Sequence, residues 1–502
     1  MGQRPVYLIV RNGILLDPEQ ETAAARDILI RDDTILEVRP PQQPAPSDAA
    51  IVDAADRLII PGLINAHTHG HAVLGKGSGD RWSLELYLNA LPWIGGSLRL
   101  EDKYTAAALN AVEMVFKGCT ATYDLFVEIP TPTLDGLEAI GRAYTDVGLR
   151  AVLAPMMADA SFYRAIPGLL DALPEPHRSH AESLQTAPHE AHVEACRRLL
   201  KNWPHRREQV RPALGPTIPL HCSDAFIRAC AILGREFDAR IQMHLAESKV
   251  QAVSGIKRYG TTLTRHVDAL GLLGPNFTGA HSVWLDDEDL KVLRDKGASV
   301  AHNPSSNLRL GSGIAPLRRM LDLGIAVGIG TDGSATSDNQ NIFAAMRAAA
   351  YVSRIVEPDP DRWVGSWEVL RAATIGGAQV LGMDKTIGRV APGYRADLVF
   401  LDMRSVNFVP LNNPAYQIVH CEDSSAVDSV MIGGRMVLDG RRLTTFDFDG
   451  LRRKAQSTAE RIRQENILKR RQYDAMEKFV SRHCIGLACE HYHVRRRADA
   501  KA

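Results

Sequence analysis

Residues 58–69 read LIIPGLINAHTH, an apolar run that ends in two histidines at alternate positions, His67 and His69. Residues two positions apart lie on the same face of a β-strand, so both imidazoles are predicted to point the same way. Further apolar runs follow, separated by helix-like stretches. They are CTATYDLF (119–126), RAVLAPMM (150–157), VRPALGP (210–216), RIQMHLAE (240–247), FTGAHSVWL (277–285), ASVAHNP (298–304) and AVGIGTDG (326–333). Strands that alternate with helices in this way predict an α/β fold, a (β/α)8 TIM-type barrel.

Short β-type runs occur at both ends of the chain, outside the predicted barrel. Residues 6–39 contain runs interrupted by Asn12-Gly13 and Asp32-Asp33, and residues 396–440 contain ADLVFLD and SVMIGGRMVLDG. Neither block buries a face alone, so we predict a small composite β-sandwich lobe formed by both ends of the chain. The predicted domains are the lobe at 1–57 and 385–445, the catalytic barrel at 58–384 and a charged helical C-terminal extension at 446–502.

The composition restricts the class of partner. Lys and Arg total 59 and Asp and Glu total 59 in 502 residues, a balance that favours neither nucleic acid nor an anionic membrane. No apolar run approaches the length of a bilayer span. The 7 cysteines are scattered and no secretory signal precedes them, which predicts a reduced, cytoplasmic protein. We therefore expect a small-molecule partner.

Polar residues stand at or near the ends of several predicted barrel strands. His67 and His69 end the first strand, His244 lies in the fifth, His281 in the sixth, and Asp332 ends the eighth. Active sites of such barrels lie at the carboxyl ends of the strands, so these side chains are predicted to meet there. The alternate histidines of the first strand predict a pair of ligands for one metal ion.

Several motifs in a fixed order resemble a known family. PGLINAHTHG, MHLAES, GAHSV and AHNPSSNLRLGSGIAPLRRM, followed by GIGTDGS, are similar to the amidohydrolase superfamily, specifically its mononuclear metal-dependent deaminase and chlorohydrolase branch. That branch includes S-adenosylhomocysteine deaminase, guanine deaminase and triazine hydrolases. The resemblance covers residues 1 to about 445 and leaves out the extension.

The resemblance implies roles for individual residues. The implied ligands of one divalent ion are His67, His69, His244 and Asp332. His281 matches the histidine that contacts substrate or the attacking water, and Glu247 matches the proton shuttle. No lysine ends the predicted fourth strand, which argues against the binuclear form with a carboxylated lysine. Zn²⁺ is the expected ion, with Fe²⁺ as the alternative that accepts the same ligands. The family also implies a homodimer or larger homo-oligomer.

The chemistry of these residue types predicts a hydrolase. Three imidazoles and a carboxylate leave one position open for water, whose pKa a divalent ion lowers towards about 7. Asp332 is predicted to take the proton of that water while His281 orients it. Glu247, three residues after His244, is placed to protonate a ring nitrogen during attack. The predicted reaction is hydrolytic deamination of an amino-substituted N-heterocycle such as a purine, pyrimidine, pterin or triazine-like ring.

Alternative functions stay open. Within enzymes, they are release of an alkylamine or halide from a triazine-like ring and opening of a cyclic amide. The non-enzyme alternative is a metal-containing interaction protein acting through the tail RHCIGLACEHYHVRRR (482–497), although a basic surface tail is the expected account. GIGTDG (328–333) matches a dinucleotide-binding pattern, but the helical character of the following region favours a close turn that presents Asp332.

Substrate contacts are the least constrained part of the prediction. Aromatic rings after the first strand could stack on a heterocycle or pack a loop onto the barrel. His302 has either a structural hydrogen bond or a substrate contact, and His71 is expected beside the metal or at the rim and not as a ligand. The candidate substrate contacts are Trp82, Trp93, Trp284, His302 and Asn303.

Overall fold

The computed structural model describes residues 6–96 and 98–497, so parts of the predicted lobe and extension, 1–5 and 498–502, lie outside the described residues. The strands are β1 (Tyr7–Asp17), β2 (Thr22–Arg31), β3 (Thr34–Arg39), β4 (Ala50–Asp53), β5 (Arg57–Pro61), β6 (Leu63–Thr68), β7 (Cys119–Val127), β8 (Arg150–Met157), β9 (Val210–Pro212), β10 (Gly215–Pro216), β11 (Ile241–Leu245), β12 (Phe277–His281), β13 (Ser299–His302), β14 (Val327–Ile329), β15 (Leu398–Asp402), β16 (Val427–Ile432), β17 (Arg435–Asp439) and β18 (Arg442–Leu443).

Helices fill the intervals between the barrel strands and form the C-terminal extension. They are α1 (Leu84–Ile94), α2 (Leu100–Phe116), α3 (Leu134–Val147), α4 (Phe162–Ala165), α5 (His177–Ser183), α6 (His189–Lys201), α7 (Asp224–Glu236), α8 (Lys249–Tyr259), α9 (Leu263–Ala269), α10 (Asp287–Asp295), α11 (Pro304–Arg309), α12 (Leu317–Asp322), α13 (Ile342–Val356), α14 (Ser366–Arg371), α15 (Gly377–Leu381), α16 (Pro414–His420), α17 (Phe448–Glu465) and α18 (Ile467–Cys489). Among the described residues, none of these helices has the length and apolar character needed to cross a bilayer.

The barrel is built from two parallel sheets. Their strand orders are β10-β8-β7-β6, with β9 beside β8, and β11-β12-β13-β14. A bridge between Leu214 and Ile241 joins the sheets on one side. On the other side, the backbone N–H groups of Thr331 and Asp332 donate to the carbonyl of His67 at 3.2 and 2.9 Å. The predicted (β/α)8 barrel is confirmed, with two short strands in the fourth position.

Small residues fill the centre of the barrel. Side chains from strands that are not neighbours in either sheet share one buried cluster, which includes Ile64, Ala66, Ala121, Ala154, Ala280 and Ala301. Such close packing keeps the strands in a fixed register and makes the barrel a rigid support for side chains at its mouth.

The two ends of the chain form one sheet outside the barrel. The strand order is β18-β17-β16-β15-β5-β1-β2-β3, with β4 beside β1. Ile59 of β5 pairs with Leu15 of β1 on one side and with Phe400 of β15 on the other. The lobe is therefore composite, as predicted, because its central strands come from both ends of the sequence.

The predicted first barrel strand, 58–67, is shared between the two sheets. Arg57–Pro61 belongs to the lobe and Leu63–Thr68 to the barrel, and Gly62 lies between them. A Cβ at Gly62 would lie 2.0 Å from Oγ1 of Thr120, so only glycine fits where the chain passes from one sheet to the other. Both halves are apolar and buried, which is why they read as one run.

The C-terminal extension packs over the mouth of the barrel. The amide of Asn89 on α1 donates to the carbonyl of Tyr473 on α18 at 3.1 Å. Beyond α18, the Tyr492 hydroxyl donates to the carbonyl of Trp284 at 3.3 Å, and the N–H of Ile314 donates to the carbonyl of Arg496 at 2.7 Å. The predicted helical extension is thus docked on the loops that surround the candidate site.

Candidate active site

Two imidazoles at the barrel mouth have a fixed tautomer. Nδ1 of His69 lies 2.7 Å from the carbonyl oxygen of Leu125, and Nδ1 of His244 lies 2.7 Å from that of Thr217. A carbonyl oxygen only accepts hydrogen bonds, so Nδ1 carries the proton in both rings. The lone pair of each Nε2 is left facing the barrel axis, as in a metal-binding histidine.

The third imidazole is held by a side chain. Nδ1 of His67 lies 2.7 Å from Oε1 of Gln242, and Nε2 of Gln242 donates to the carbonyl of Ala66 at 3.0 Å. That second bond places the amide oxygen of Gln242 toward His67, so Nδ1 is again the protonated nitrogen. Nε2 of His67 is buried and has no hydrogen-bond partner among the described residues.

The Nε2 atoms converge with one carboxylate oxygen. Nε2 of His69 lies 3.1 Å from Nε2 of His244, and Oδ1 of Asp332 lies 3.2 Å from Nε2 of His69 and 3.4 Å from Nε2 of His67. Lone pairs this close repel one another unless a cation lies between them. The three nitrogens and one oxygen fit a single divalent ion and leave room for a further ligand.

A left-handed backbone conformation and two hydroxyl groups fix the orientation of the Asp332 carboxylate. Its φ of 63° turns the chain at the end of β14. Its Oδ2 accepts hydrogen bonds from Ser306 at 2.6 Å and Thr336 at 2.7 Å. Because Oδ2 is occupied by these donors, Oδ1 is the oxygen left to face the imidazoles.

Glu247 is the carboxyl group beside this cluster. It is 1% exposed, its backbone N–H donates to Oε1 of Gln251 at 2.9 Å, and its Oε2 has no hydrogen-bond partner among the described residues. Burial, together with the charges of Asp332 and Glu85, raises the pKa of Glu247 well above its ordinary value. Both burial and the neighbouring charges favour the protonated form of this carboxyl group, the form that can donate a proton to a substrate.

His281 completes the site as a neutral imidazole. Its Nδ1 lies 2.9 Å from Oδ1 of Asn307, and its ring centroid lies 5.3 Å from that of His67. Burial lowers the pKa of His281 to about 3, so the ring is uncharged. Its buried Nε2 has no partner among the described residues and is available to accept a hydrogen bond.

Left-handed backbone conformations recur where the strands end. Ala246 has φ 47°, His281 has φ 66° and Ser282 has φ 50°, in addition to Asp332. Non-glycine residues adopt this region only when the surrounding fold imposes it, and such residues cluster at functional sites. His281 and Asp332 belong to residue types that adopt this region more often than most, whereas Ala246 and Ser282 give no such signal.

His71 lies next to the four converging side chains without joining them. Its Nδ1 accepts a hydrogen bond from the backbone N–H of Val127 at 3.2 Å, and its ring centroid lies 5.4 Å from that of His69. Burial lowers the pKa of His71 well below its ordinary value. Its place is thus beside the candidate ligands, where the sequence prediction put it.

The three candidate tryptophans pack against protein. Trp82 lies against Trp93 with ring centroids 6.1 Å apart, and the guanidinium of Arg470 lies 4.8 Å from the ring of Trp93. The indole N–H of Trp284 donates to the carbonyl of Ser312 at 2.8 Å. None of the three lines either cavity beside the histidines, and a substrate contact for any of them stays a prediction.

His302 and Asn303 are buried without lining those cavities. His302 is 1% exposed and Asn303 is 0% exposed. Both ring nitrogens of His302 and both amide atoms of Asn303 lack a hydrogen-bond partner among the described residues. Burial lowers the pKa of His302 to about 4, which makes it a neutral ring. A substrate contact for either residue stays a prediction.

Two cavities that share part of their walls lie at the mouth. The smaller, about 40 Å³, is lined by His69, His71, His244, Glu247 and Asp332 together with apolar side chains. The larger, about 630 Å³, shares part of its wall with the smaller one. The shared residues are Leu88, Leu91, Met156 and Thr217. The sequence analysis missed these residues, although the helical spacing of Leu84, Leu88 and Leu91 was a usable signal.

Comparison with known proteins places the chain in a family. Residues 58–437 match the Amidohydrolase family. The chain belongs to that family. A 5-methylthioadenosine/S-adenosylhomocysteine deaminase of Syntrophomonas wolfei is 32% identical over 438 residues, which are 87% of this chain and 94% of that protein. A 5'-deoxyadenosine deaminase of Methanothermobacter thermautotrophicus is 31% identical over 422 residues, 84% of this chain and 91% of that protein.

Solved structures of this amidohydrolase family share the fold. Atrazine chlorohydrolase from Arthrobacter aurescens, complexed with zinc, superposes with a TM-score of 0.80 at 25% identity, over 90% of this chain and 100% of that chain. An adenosine deaminase from Xanthomonas campestris with bound zinc gives a TM-score of 0.80 at 24% identity, over 91% of this chain and 98% of that chain, and supports the fold alone. The amidohydrolase described here is a metal-dependent hydrolase that acts on carbon–nitrogen bonds.

Proposed function

We propose that this amidohydrolase is a zinc-dependent deaminase of adenine-type nucleosides. The observation that carries the proposal is the convergence of three Nε2 lone pairs and Oδ1 of Asp332 beside the buried carboxyl group of Glu247, whose pKa is raised by burial. The relatives named as deaminases of 5-methylthioadenosine, S-adenosylhomocysteine and 5'-deoxyadenosine support the adenine ring as the substrate head.

The proposed metal ligands are His67, His69, His244 and Asp332. A divalent ion bound by them would supply a water of lowered pKa at the open coordination position. Zinc is proposed because it accepts this nitrogen and oxygen set and because the atrazine chlorohydrolase structure holds zinc, while iron(II) is the competing ion.

The side chains of the protein move the protons. Glu247 is neutral and donates its proton to the ring nitrogen next to the carbon under attack, which makes that carbon more electrophilic. His281, also neutral, accepts a hydrogen bond from the attacking water through Nε2 and orients it. The carboxylate of Asp332 takes one proton of the attacking water and passes it to the amino group, and the second proton of that water returns to Glu247 as the carbonyl forms. Ammonia leaves and the ring carbon keeps the oxygen of the water.

Ammonia release tests the proposal. Purified protein with a measured zinc content would be assayed on adenosine, 5'-methylthioadenosine, guanine, cytosine, a pterin and an aminotriazine. We expect ammonia from the adenine nucleosides and its loss in Glu247→Gln. Glu422→Gln is the matched control. Glu422 is a buried glutamate in the lobe region, away from the site, and its carboxylate accepts hydrogen bonds from the N–H of Ala426 and the amide of Asn407. Silence on all adenine compounds by the zinc-loaded protein would overturn the assignment.

A second reaction is favoured by one observation. Triazine hydrolase from Arthrobacter aurescens superposes with a TM-score of 0.81 at 25% identity, over 90% of this chain and 99% of that chain. Chloride or alkylamine release from triazines, measured in the same preparations, would indicate that the site takes another leaving group. Such turnover without ammonia from adenine nucleosides would favour this alternative.

The assembly and location of the protein are part of the proposal. The described cysteines are all free, four of them buried in the barrel region and none paired, which supports a reducing compartment such as the cytoplasm. The homodimer implied by the family resemblance stays a prediction, which light scattering of the purified protein would test.

A further inference from the structure

The small cavity cannot hold a whole substrate. Its volume is about 40 Å³, whereas cavities that enclose a drug-sized ligand have about 300–1,000 Å³. It therefore has room for the attacking water and the reacting edge of a ring. The remainder of a nucleoside must extend past Leu88, Leu91 and Met156 into the larger cavity of about 630 Å³, which we call the distal chamber.

The wall of the distal chamber is mainly apolar. Strand β8 contributes Met156 and Met157, and α4 contributes Phe162. Val127 ends β7, and Ile129 belongs to the segment that follows it. Apolar walls favour an uncharged substituent. A charged substituent loses its hydration on entering the chamber, and apolar side chains do not replace those interactions.

The charged groups of the distal chamber are engaged or lie at its edge. Lys103 forms an ion pair with Glu128, and Glu128 also accepts hydrogen bonds from the N–H and the hydroxyl of Thr133, the N–H at 3.1 Å. Its carboxylate is therefore already satisfied. Lys469 is exposed, with Nζ 3.5 Å from the carbonyl of Gly96, and stands at the rim. Among the described residues that line the chamber, Glu128 is the one carboxylate, and it is already paired, so an ammonium group there would compete with Lys103 and Thr133.

Neutral polar groups lie among the apolar ones. Nε2 of His192 lies 3.1 Å from the carbonyl of Ala158, and its Nδ1 has no hydrogen-bond partner among the described residues. Oγ of Ser161 and Nε2 of His180 are likewise buried without a partner there. Burial lowers the pKa of each chamber histidine, His221 to about 4, so the rings are uncharged. Such groups can exchange hydrogen bonds with the hydroxyl groups of a sugar.

The extension closes one side of the distal chamber. Gln472 and Tyr473 of α18 line it, and Tyr473 is 3% exposed, with its ring centroid 5.5 Å from that of His180. These residues follow the part of the chain that matches the family, which ends at residue 437. This wall of the chamber is thus built by a segment outside the family match.

We propose that the distal chamber, closed by helix α18, selects nucleosides with an uncharged, apolar 5' substituent over nucleosides with a charged 5' substituent. The inference rests on the proposed deaminase function and specifies its substrate. It favours 5'-methylthioadenosine and 5'-deoxyadenosine over S-adenosylhomocysteine, whose amino-acid group carries both an ammonium and a carboxylate.

The first test compares two compounds in two assays. Ammonia release should give 5'-methylthioadenosine a kcat/KM at least about tenfold above that of S-adenosylhomocysteine. Calorimetry with zinc-loaded Glu247→Gln should also show a higher affinity for 5'-methylthioadenosine than for S-adenosylhomocysteine. Preferred binding of 5'-methylthioadenosine without ammonia from wild type would refute deamination and keep the selectivity. Ammonia from both compounds with equal kcat/KM, or a preference for S-adenosylhomocysteine, would refute the selectivity and keep the deaminase.

The second test concerns the extension. Tyr473→Leu keeps an apolar side chain but removes the ring, and should raise KM for 5'-methylthioadenosine by about threefold to tenfold with little change in kcat. Leu468→Ala is the matched control, because Leu468 on the same helix is 76% exposed and outside the chamber wall. An unchanged KM in Tyr473→Leu would overturn the proposal. It would also be overturned if wild type turned over S-adenosylhomocysteine faster than 5'-methylthioadenosine and Lys469→Gln lost only the turnover of S-adenosylhomocysteine.

Discussion

The hydroxyl of Ser248 donates a hydrogen bond of 2.6 Å to Oε1 of Glu85. This bond joins the residue that follows Glu247 to helix α1, whose apolar face lines both cavities. The second oxygen of Glu85 accepts a hydrogen bond from Ser83 at 2.9 Å, and Glu85 is only 4% exposed. The position of the proposed proton donor is therefore coupled to the helix that lines both cavities.

Removing this bond should affect both stability and turnover. Ser248→Ala leaves a buried carboxylate oxygen of Glu85 without its donor, which should lower the free energy of unfolding by about 1–3 kcal/mol. We expect kcat to fall more than KM rises, since Glu247 loses its support. Ser254→Ala is the matched control, because the buried hydroxyl of Ser254 on α8 has no partner among the described residues. Equal melting temperatures of the two variants would contradict the prediction.

Gln242 should control the affinity for the metal. Gln242→Ala frees Nδ1 of His67, so the ring can rotate or change tautomer, and zinc affinity should fall by about 10- to 100-fold. Competition with a fluorescent chelator measures this affinity directly. Gln209→Ala, which removes a half-buried glutamine bonded to the carbonyl of Thr145, should bind zinc like wild type. Wild-type affinity in Gln242→Ala would show that the amide does not orient the ring.

The docked extension should contribute to folding stability. Met476 on α18 is 0% exposed, so Met476→Ala should lower the free energy of unfolding by about 2–5 kcal/mol. Leu468→Ala on the exposed face of the same helix should change it by less than about 0.5 kcal/mol. Urea unfolding followed by tryptophan fluorescence compares the two. A free interaction tail would make both substitutions equally harmless.

Asp289 should make stability fall as the pH rises. Burial, partly offset by the hydroxyl of Thr262, raises the pKa of Asp289 to about 6 from an ordinary value of 3.8. The folded state thus binds more protons than the unfolded state between these values, and the stability contributed by this group is present below pH 3.8 and lost as the pH passes 6.

Substitution of this residue by asparagine removes that dependence. The melting temperature of Asp289→Asn relative to wild type should therefore increase from about pH 4.5 to about pH 7. Asp287→Asn is the control on the same helix, because Asp287 lies on the surface next to Arg319 and is 64% exposed in its side chain. A difference that stays constant with pH would show that Asp289 is already ionised in the folded protein.

The barrel and the converging residues could be predicted because their signals are local. Each barrel strand is an apolar run that a helix follows, and His67, His69, His244 and Asp332 stand where those runs end. Gln242 could also have been found, since it lies two residues before His244 on the same face of β11. Site residues can thus be predicted from the sequence where the order of the strands and the alternation of side chains along them determine their positions.

Other features have no signal in residue types. The carbonyls of Leu125 and Thr217 that hold His69 and His244 belong to the backbone, which any residue supplies. A tryptophan at position 284 is compatible both with stacking on a ligand and with packing on Tyr492, so the residue type does not distinguish the two roles. Such distinctions depend on the three-dimensional path of the loops.

The amphipathic spacing of the extension was a signal that the sequence analysis did not use. Its buried residues recur at intervals of three and four along α18. They are Tyr473, Met476, Val480, Cys484 and Leu487. A stripe of this kind predicts a helix with one face packed on protein. Its last two members, Cys484 and Leu487, lie in the segment 482–497 that was expected to form a basic surface tail.

The central position of β5 in the lobe sheet has a consequence during synthesis. Its residues Leu58, Ile59 and Ile60 are almost fully buried, yet the antiparallel partner of β5, Leu398–Asp402, is made only after the whole barrel has left the ribosome. Until then one edge of an apolar strand is open to pairing with other chains. The nascent protein therefore has its greatest exposure to aggregation while it is incomplete, and the arrival of β15 ends that exposure.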